Sequence, residues 1–443
     1  MPIADPKERR RLKVLVSCYA CDPTRGSEPG MGGNWVLQLA RHHDLWVLTD
    51  QNEYPPGLAD YLDRHCPELK PAIHIIDIPR RRFGEKLWHS FFYYWTYRTW
   101  QRDAYREAQR LVQQIDFDLA HQLNMIGYRE PGYLWKLPIP FLWGPIGGHA
   151  QVPWRFLAAL GRKGAFEHGL RNLLNWIQMH SSIRVKQAMR RADLLLAATR
   201  DDHKAIRRIH GKDAVLLNEQ GTSPIDSITK REPFDGQWPL RVVWCGNFGA
   251  GKALPLALMA VQRAAKEIPL QLHIVGSGEC EEEWKSLALR LEIVSLCHWY
   301  GSLSHERSME IISQSDVLLF TSLKEATATV VMEALGFGVP VICHDLCGFG
   351  MVIDEICGIK ILVTSPRLSS DRFAEALMRL ARNPELLQSL SQGALQRAGE
   401  ITWPNQTKIM LDCYQQAIQI HSEKTSLKVG NASYHPSRTT PSL

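Results

Sequence analysis

One short relay of segments constrains this 443-residue chain most. The apolar run after Asp316, Val-Leu-Leu-Phe followed by Thr321-Ser322, reads as a short buried strand. Then come Glu325-Ala-Thr-Ala-Thr-Val-Val-Met-Glu333 and Ala-Leu, ending at Gly336 and Gly338. Pro340 lies inside a new apolar run from Val339 to Cys343. Strand, turn, short helix, glycine stop and strand form a βαβ pattern, the building unit of a doubly wound parallel sheet.

Two carboxylates flank that helix start: Glu325 on the loop before it, Glu333 a turn or more inside. A helix N-terminus presents unpaired N–H groups and partial positive charge, which suit a phosphate. A glutamate would repel the phosphate, so the pair suits hydroxyls on either side of it. Hydroxyls, diphosphate, hydroxyls is the layout of a nucleotide sugar. The plain alternative is a solvated loop acid and an N-terminal helix charge.

Glu-x7-Glu on a strand, loop and helix resembles the signature of the family 4 glycosyltransferases. The resemblance runs from about Leu12 to Ile420 and is strongest in the second half. It implies an α/β architecture, the GT-B fold, with two Rossmann-like doubly wound domains facing across a cleft. The expected boundaries are an acceptor-side domain over 1–219, a linker over 220–239 and a nucleotide-sugar domain over 240–402. A helix over 403–421 would cross back to the first domain, and a disordered tail would occupy 422–443. The linker rests on its turn chemistry, Gly-Thr-Ser-Pro followed by Pro233, Gly236 and Pro239.

The same resemblance implies roles. Glu333 would bind the ribose and Glu325 the sugar hydroxyls. Lys252 and the helix start at Thr327, Ala328 and Thr329 would hold the diphosphate. His121, at the end of a strand (Asp118-Leu-Ala-His121-Gln-Leu-Asn124), would lie near the transferred sugar. His149 is a weaker candidate after a glycine turn. The loop from Gly26 to Gly33 would face donor and acceptor, and the turn at Gly276 would wall the nucleotide base. Family 4 enzymes transfer with retention at the anomeric carbon and need no metal or other cofactor, fixed positive groups serving instead. The expected partners are a nucleotide sugar and a glycan or lipid-linked acceptor, with no nucleic acid.

Two loops need separate reading. Gly246-Asn-Phe-Gly-Ala-Gly251-Lys252 matches a phosphate-binding P-loop, but Ala253 replaces the Ser/Thr that would hold magnesium. In the family this loop carries an Arg and then a Lys; Lys252 matches the Lys, and Asn247 stands where the Arg is usual. Asp116-Phe-Asp118 precedes its strand and reads as a helix-to-strand connection. Cys18-x2-Cys21 has no matching second pair, so no zinc is expected.

Length favours two domains, and 45% hydrophobic with 22% charged residues is a globular balance. Scattered cysteines fit a reducing cytosol. Met1 to Lys13 lacks the apolar core of a signal peptide, and no apolar run reaches the ~18 residues of a membrane span. Residues 1–230 hold 33 Lys+Arg against 24 Asp+Glu, while the rest is net negative. Two basic stretches rich in large apolar residues lie in that half, over 80–111 and 154–191. They fit either core-packed helices or contact with an anionic membrane surface, giving a cytoplasmic protein peripheral on the inner membrane face. A nucleotide-sugar epimerase, a P-loop NTPase and a non-catalytic nucleotide-sugar binder are the rival classes.

Overall fold

The computed structural model describes residues 10–53, 57–80, 90–222 and 232–432. Seven parallel strands form the first sheet: β1 (Lys13–Cys18), β2 (Asp44–Thr49), β3 (Ile73–Asp77), β4 (Leu119–Asn124), β5 (Phe141–Ile146), β6 (Leu194–Ala197) and β7 (Val215–Leu216). Six make the second: β8 (Leu240–Cys245), β9 (Leu270–Val275), β10 (Cys297–Gly301), β11 (Val317–Phe320), β12 (Val341–His344) and β13 (Gly358–Ile361). The strand orders are β3-β2-β1-β4-β5-β6-β7 and β10-β9-β8-β11-β12-β13. Each order reverses once, between β1 and β4 and between β8 and β11. In an open parallel sheet the loops at that reversal diverge and leave a ligand crevice at the carboxyl ends.

Helices cover both faces of each sheet, so the central strands are apolar on both sides. Period two then sorts each strand between two cores. Val14 and Val16 of β1 join the core that holds Trp35, whereas Leu15 joins Tyr19, Trp100 and Trp143 on the other face. In the second domain Val242 and Trp244 face the helix Leu254–Ala264, while Val243 joins Leu318, Phe320 and Leu335. Asp118 takes the N–H of Lys13 at 2.8 Å and pairs with Arg10, which fixes the entry into β4.

The chain passes between the domains twice, and the two passages lie side by side. The N–H of Thr222 donates to the Ile401 carbonyl at 3.0 Å, and that of Trp403 to the Thr222 carbonyl at 3.1 Å. The helix Trp403–Ala432 then lies on the first domain, with Trp403 edge-on to Trp35 and both His421 and Lys424 at 2.9 Å from Asp193. The crossover helix thus runs past 421, and its contact with the first domain outweighs the polar composition that suggested a tail from 422. Residues 433–443 lie outside the described residues, as do 223–231 of the linker.

Of the first basic stretch, 81–89 lie outside the described residues. The helix Ser90–Val112 buries Tyr97 and Trp100 and exposes Tyr94 and Trp95, so much of its aromatic content is core. Among the described residues no helix is long and apolar enough to cross a membrane.

Candidate active site

The site is built at the reversal of the second sheet. β11 ends in Thr321-Ser322, and the Ser322 hydroxyl donates to Glu325 Oε1 at 3.0 Å. Lys252 Nζ pairs with the same carboxylate, both side chains about one-fifth exposed. Three links hold Lys252 there. A 3-10 turn, Ala250–Lys252, is followed by Ala253 in a left-handed conformation. The Thr321 hydroxyl donates to the Lys252 carbonyl at 3.1 Å, and Trp244 Nε1 donates to that hydroxyl. Neighbouring loops interlock: Gly276 has φ +137°, and a Cβ there would lie 1.9 Å from the Gly246 carbonyl oxygen. Only glycine meets both demands.

The helix Thr329–Gly336 starts beside this pair. Ala328 caps it with φ +65°, a conformation that costs an alanine roughly 1–2 kcal/mol. Among the described residues the N–H groups of Ala328 and Thr329 make no hydrogen bond, as at most helix starts. Glu333 is half-buried further along. Burial holds its carboxyl above the usual range, opposed by His305, whose Nδ1 lies 3.9 Å away. Burial, reinforced by Glu333, pushes the Cys245 thiol up to about 12. Glu333 therefore faces the end of β8, while Glu325 faces Lys252.

Thr327 departs from its expected role at the diphosphate. Its N–H donates to Glu219 Oε1 at 3.1 Å and its hydroxyl to Asn218 Oδ1 at 2.6 Å, so both groups serve the other domain. Burial pushes the Glu219 carboxyl up to about 8, and its Oε2 is buried without a partner.

A cleft of about 310 Å³ opens between the domains, lined by Glu28, Arg129 and Arg171 from one side and Gly251, Lys324 and Glu325 from the other. Sequence reasoning missed Glu28, the one acid between Gly26 and Gly33; that stretch, expected as a loop, forms the first turns of the helix Ser27–Ala40. Its carboxylate accepts the Ile126 N–H, and burial pushes it up to about 7. Gly26 itself is exposed with nothing near its missing Cβ; Gly30 and Gly32 are the crowded positions, against the Arg25 and Ala20 carbonyls. Asn247 is exposed on its loop and brings no charge.

His121 is not brought to the cleft. It is fully buried between β4, β5 and the C-terminal helix. Nε2 lies 2.7 Å from the Gly144 carbonyl and Nδ1 2.8 Å from the Tyr414 hydroxyl. A carbonyl only accepts, so Nε2 carries the proton and Nδ1 takes the Tyr414 hydroxyl hydrogen. Both nitrogens are thereby committed to packing the crossover helix, and burial holds the ring neutral at a pKa of about 4. His149 is also buried, with Nδ1 2.9 Å from Asp202 and its ring stacked on Tyr128.

Two Rossmann-like domains with a cleft at their switch points define a protein of the GT-B fold. Residues 232–397 match the model of the family described as glycosyl transferases group 1. A D-inositol 3-phosphate glycosyltransferase of Saccharomonospora viridis is 28% identical over 145 residues, 32% of this chain and 33% of the relative. The enzyme of that name from Rhodococcus erythropolis is 25% identical over 271 residues, 57% and 59%. The chain thus spans from one-third to three-fifths of the length of these curated relatives. Among solved structures, sucrose-phosphate synthase of Thermosynechococcus elongatus superposes with a TM-score of 0.61 at 15% identity, covering 92% of this chain and 99% of that one. Anabaena HepE in complex with UDP and glucose gives 0.55 at 14%, covering 91% and 100%.

Proposed function

We propose that the protein transfers a sugar from a nucleotide-diphosphate sugar to a hydroxyl of a glycan or lipid-linked acceptor, with retention, in polysaccharide or glycolipid synthesis. The observation that carries this reading is the Lys252–Glu325 pair beside the start of the helix that bears Glu333. The chemistry must stabilise a departing diphosphate and an oxocarbenium-like sugar. Lys252 meets the charge that develops on the diphosphate, helped by the N–H groups of Ala328 and Thr329. Glu325, held by Ser322, takes the sugar hydroxyls, and Glu333 takes the ribose. Fixed cations serve in place of a metal. The UDP and glucose of the HepE complex support UDP-glucose as the first donor to try.

The test is a thermal-shift screen against UDP-, GDP- and ADP-sugars, with ATP–magnesium alongside, on wild type and Glu333→Ala. A ligand at a hundredfold excess over its Kd stabilises the native state by about 2.7 kcal/mol, so the correct donor raises Tm. A donor-specific rise that disappears in Glu333→Ala is expected. No rise with any nucleotide sugar, or a rise with ATP–magnesium alone, refutes the reading. Donor conversion without acceptor would instead identify an epimerase.

A second reading concerns the membrane. The turn Trp154–Leu160 and the helix Gly161–Ser181 bury Phe156 and Leu160 but expose Trp154, Phe166, Leu173, Leu174 and Trp176, with Arg155, Arg162 and Lys163 among them. Rings and aliphatic chains interleaved with cations suit an anionic bilayer surface. The purified protein should sediment with anionic liposomes at low salt and be released at high salt; no sedimentation at low salt removes this reading.

A further inference from the structure

The charges in the interdomain cleft do not balance locally. Each carboxylate there has a partner. Glu325 pairs with Lys252, and Glu130 with Arg98 and Arg184. Asp202 accepts from His149 and Thr199, and Glu28 accepts the Ile126 N–H. Arg129, Arg171 and Lys324 line the same cleft, and among the described residues none of the three has a carboxylate within ion-pair distance.

Arg129 is held in place by neutral groups only. Its Nε donates to Gln178 at 2.8 Å, another guanidinium nitrogen donates to Asn175, and the guanidinium lies over the Tyr128 ring. That arrangement orients the cation without neutralising it. Lys324, half-buried on the loop just before Glu325, is pushed down to about 8, first by burial and then by Arg171 and Arg129. Three like charges close enough to disturb one another destabilise the fold unless an anion relieves them.

We infer that the acceptor carries a phosphoryl group, bound between the domains by Arg129, Arg171 and Lys324. Three cations exceed what a single carboxylate neutralises and match a phosphate dianion, which guanidinium forks engage bidentately. Arg129 and Arg171 belong to the first domain, so this subsite lies across the cleft from Lys252 and Glu333, with Lys324, next to Glu325, reaching it from the second domain. The inference rests on the transferase reading, since it assigns the second substrate of that site. The helix Gly161–Ser181 turns His168 and Arg171 to the cleft and Phe166, Leu173 and Leu174 to the surface, so a lipid phosphate and a soluble phosphorylated acceptor would both reach the cations.

The experiment is titration of the full chain with inorganic phosphate at constant ionic strength, with and without saturating UDP, for wild type and Arg129→Gln/Arg171→Gln. Arg171→Gln alone, at an exposed position, keeps the test valid if the double variant does not fold. Lys408→Gln, exposed on the C-terminal helix and outside the cleft, is the control. Phosphate affinity should fall at least tenfold in the double variant, stay unchanged in the control and be indifferent to UDP, while UDP affinity is the same in all proteins. Equal phosphate affinity in wild type and variants overturns the inference. So does displacement of phosphate by UDP, which would assign the cations to the donor diphosphate. If no nucleotide or nucleotide sugar binds, the transferase reading fails on its own while the phosphate titration still reads the subsite. Vesicles of phosphatidylcholine with and without phosphatidic acid separate the sources. Arginine-dependent binding to phosphatidic acid that phosphate reverses marks a lipid headgroup; its absence alongside phosphate binding marks a soluble acceptor.

Discussion

Glu219→Gln tests the electrostatics of the domain junction. The wild-type carboxyl is buried, accepts one N–H from Thr327 through Oε1 and leaves Oε2 without a partner. Burial raises it from 4.5 to about 8, with nearby Glu28, Asp202 and Glu325 adding to the rise and the Thr327 N–H opposing it. The folded state therefore holds a proton that the unfolded chain releases above pH 4.5. Stability is full below that value, declines as pH climbs toward about 8 and is flat beyond. A gap of about 3.5 pH units at ~1.4 kcal/mol each bounds the loss at roughly 5 kcal/mol, and local water entry reduces it to a few. Glutamine keeps the acceptor for Thr327 and cannot ionise. The variant should match wild type within about 1 kcal/mol at pH 4 and exceed it by a few at pH 9, read from chemical-denaturation midpoints at both pH values. An equal difference at the two pH values would refute the argument, because only titration of this carboxyl makes the difference depend on pH.

Lys252→Ala should lower kcat by roughly 10²–10³-fold, as expected for a group that meets charge developing in the transition state; a change confined to KM would assign it to ground-state binding alone. Gly276→Ala should lower Tm markedly and weaken donor binding, since its φ is +137° and its Cβ would strike the Gly246 carbonyl; an unchanged melting curve would contradict the interlocked loops. His121→Gln should destabilise the fold by about 1–3 kcal/mol through the buried bond to Tyr414, while leaving kcat of the folded enzyme within a few-fold. A large loss of turnover at wild-type stability would restore His121 to the reacting sugar.

The fold was legible because its signals are local. Apolar runs such as Val317–Phe320 and Val341–His344, each followed by a glycine or hydroxyl turn, identify parallel strands without reference to anything distant. That Lys252 and Glu325 come together was legible for the same reason: both stand on loops directly after strands that meet at a switch point. What stayed hidden depends on contacts between distant segments. His121 has the residue type and strand-end position of a catalytic histidine, but Tyr414, 293 residues later, occupies its Nδ1. Glu28 takes the N–H of Ile126, 98 residues later, a contact that no local pattern announces. Thr327 lies in the right motif, yet Asn218 and Glu219 claim its polar groups. The C-terminal helix outruns a Ser/Thr-rich composition because Asp193 offers partners to His421 and Lys424.

The contacts of Thr327 lie at one such junction. Asn218 and Glu219 lie just before the crossing at Thr222, and Thr222 is bonded to the second crossing at Ile401 and Trp403. Trp35, which packs on Trp403, also donates its indole N–H to the Glu219 carbonyl at 2.9 Å, and it belongs to the helix that begins at Ser27, next to Glu28. The loop between Glu325 and Glu333 is therefore tied through Thr327 to the same short segment that joins the domains and supports the first domain's helix from Ser27. Changing the separation of the domains must strain that tie or break it. The loop after Glu325 and the cleft cannot rearrange independently, and among the described residues Glu219 is the first-domain side chain that accepts a backbone N–H of that loop.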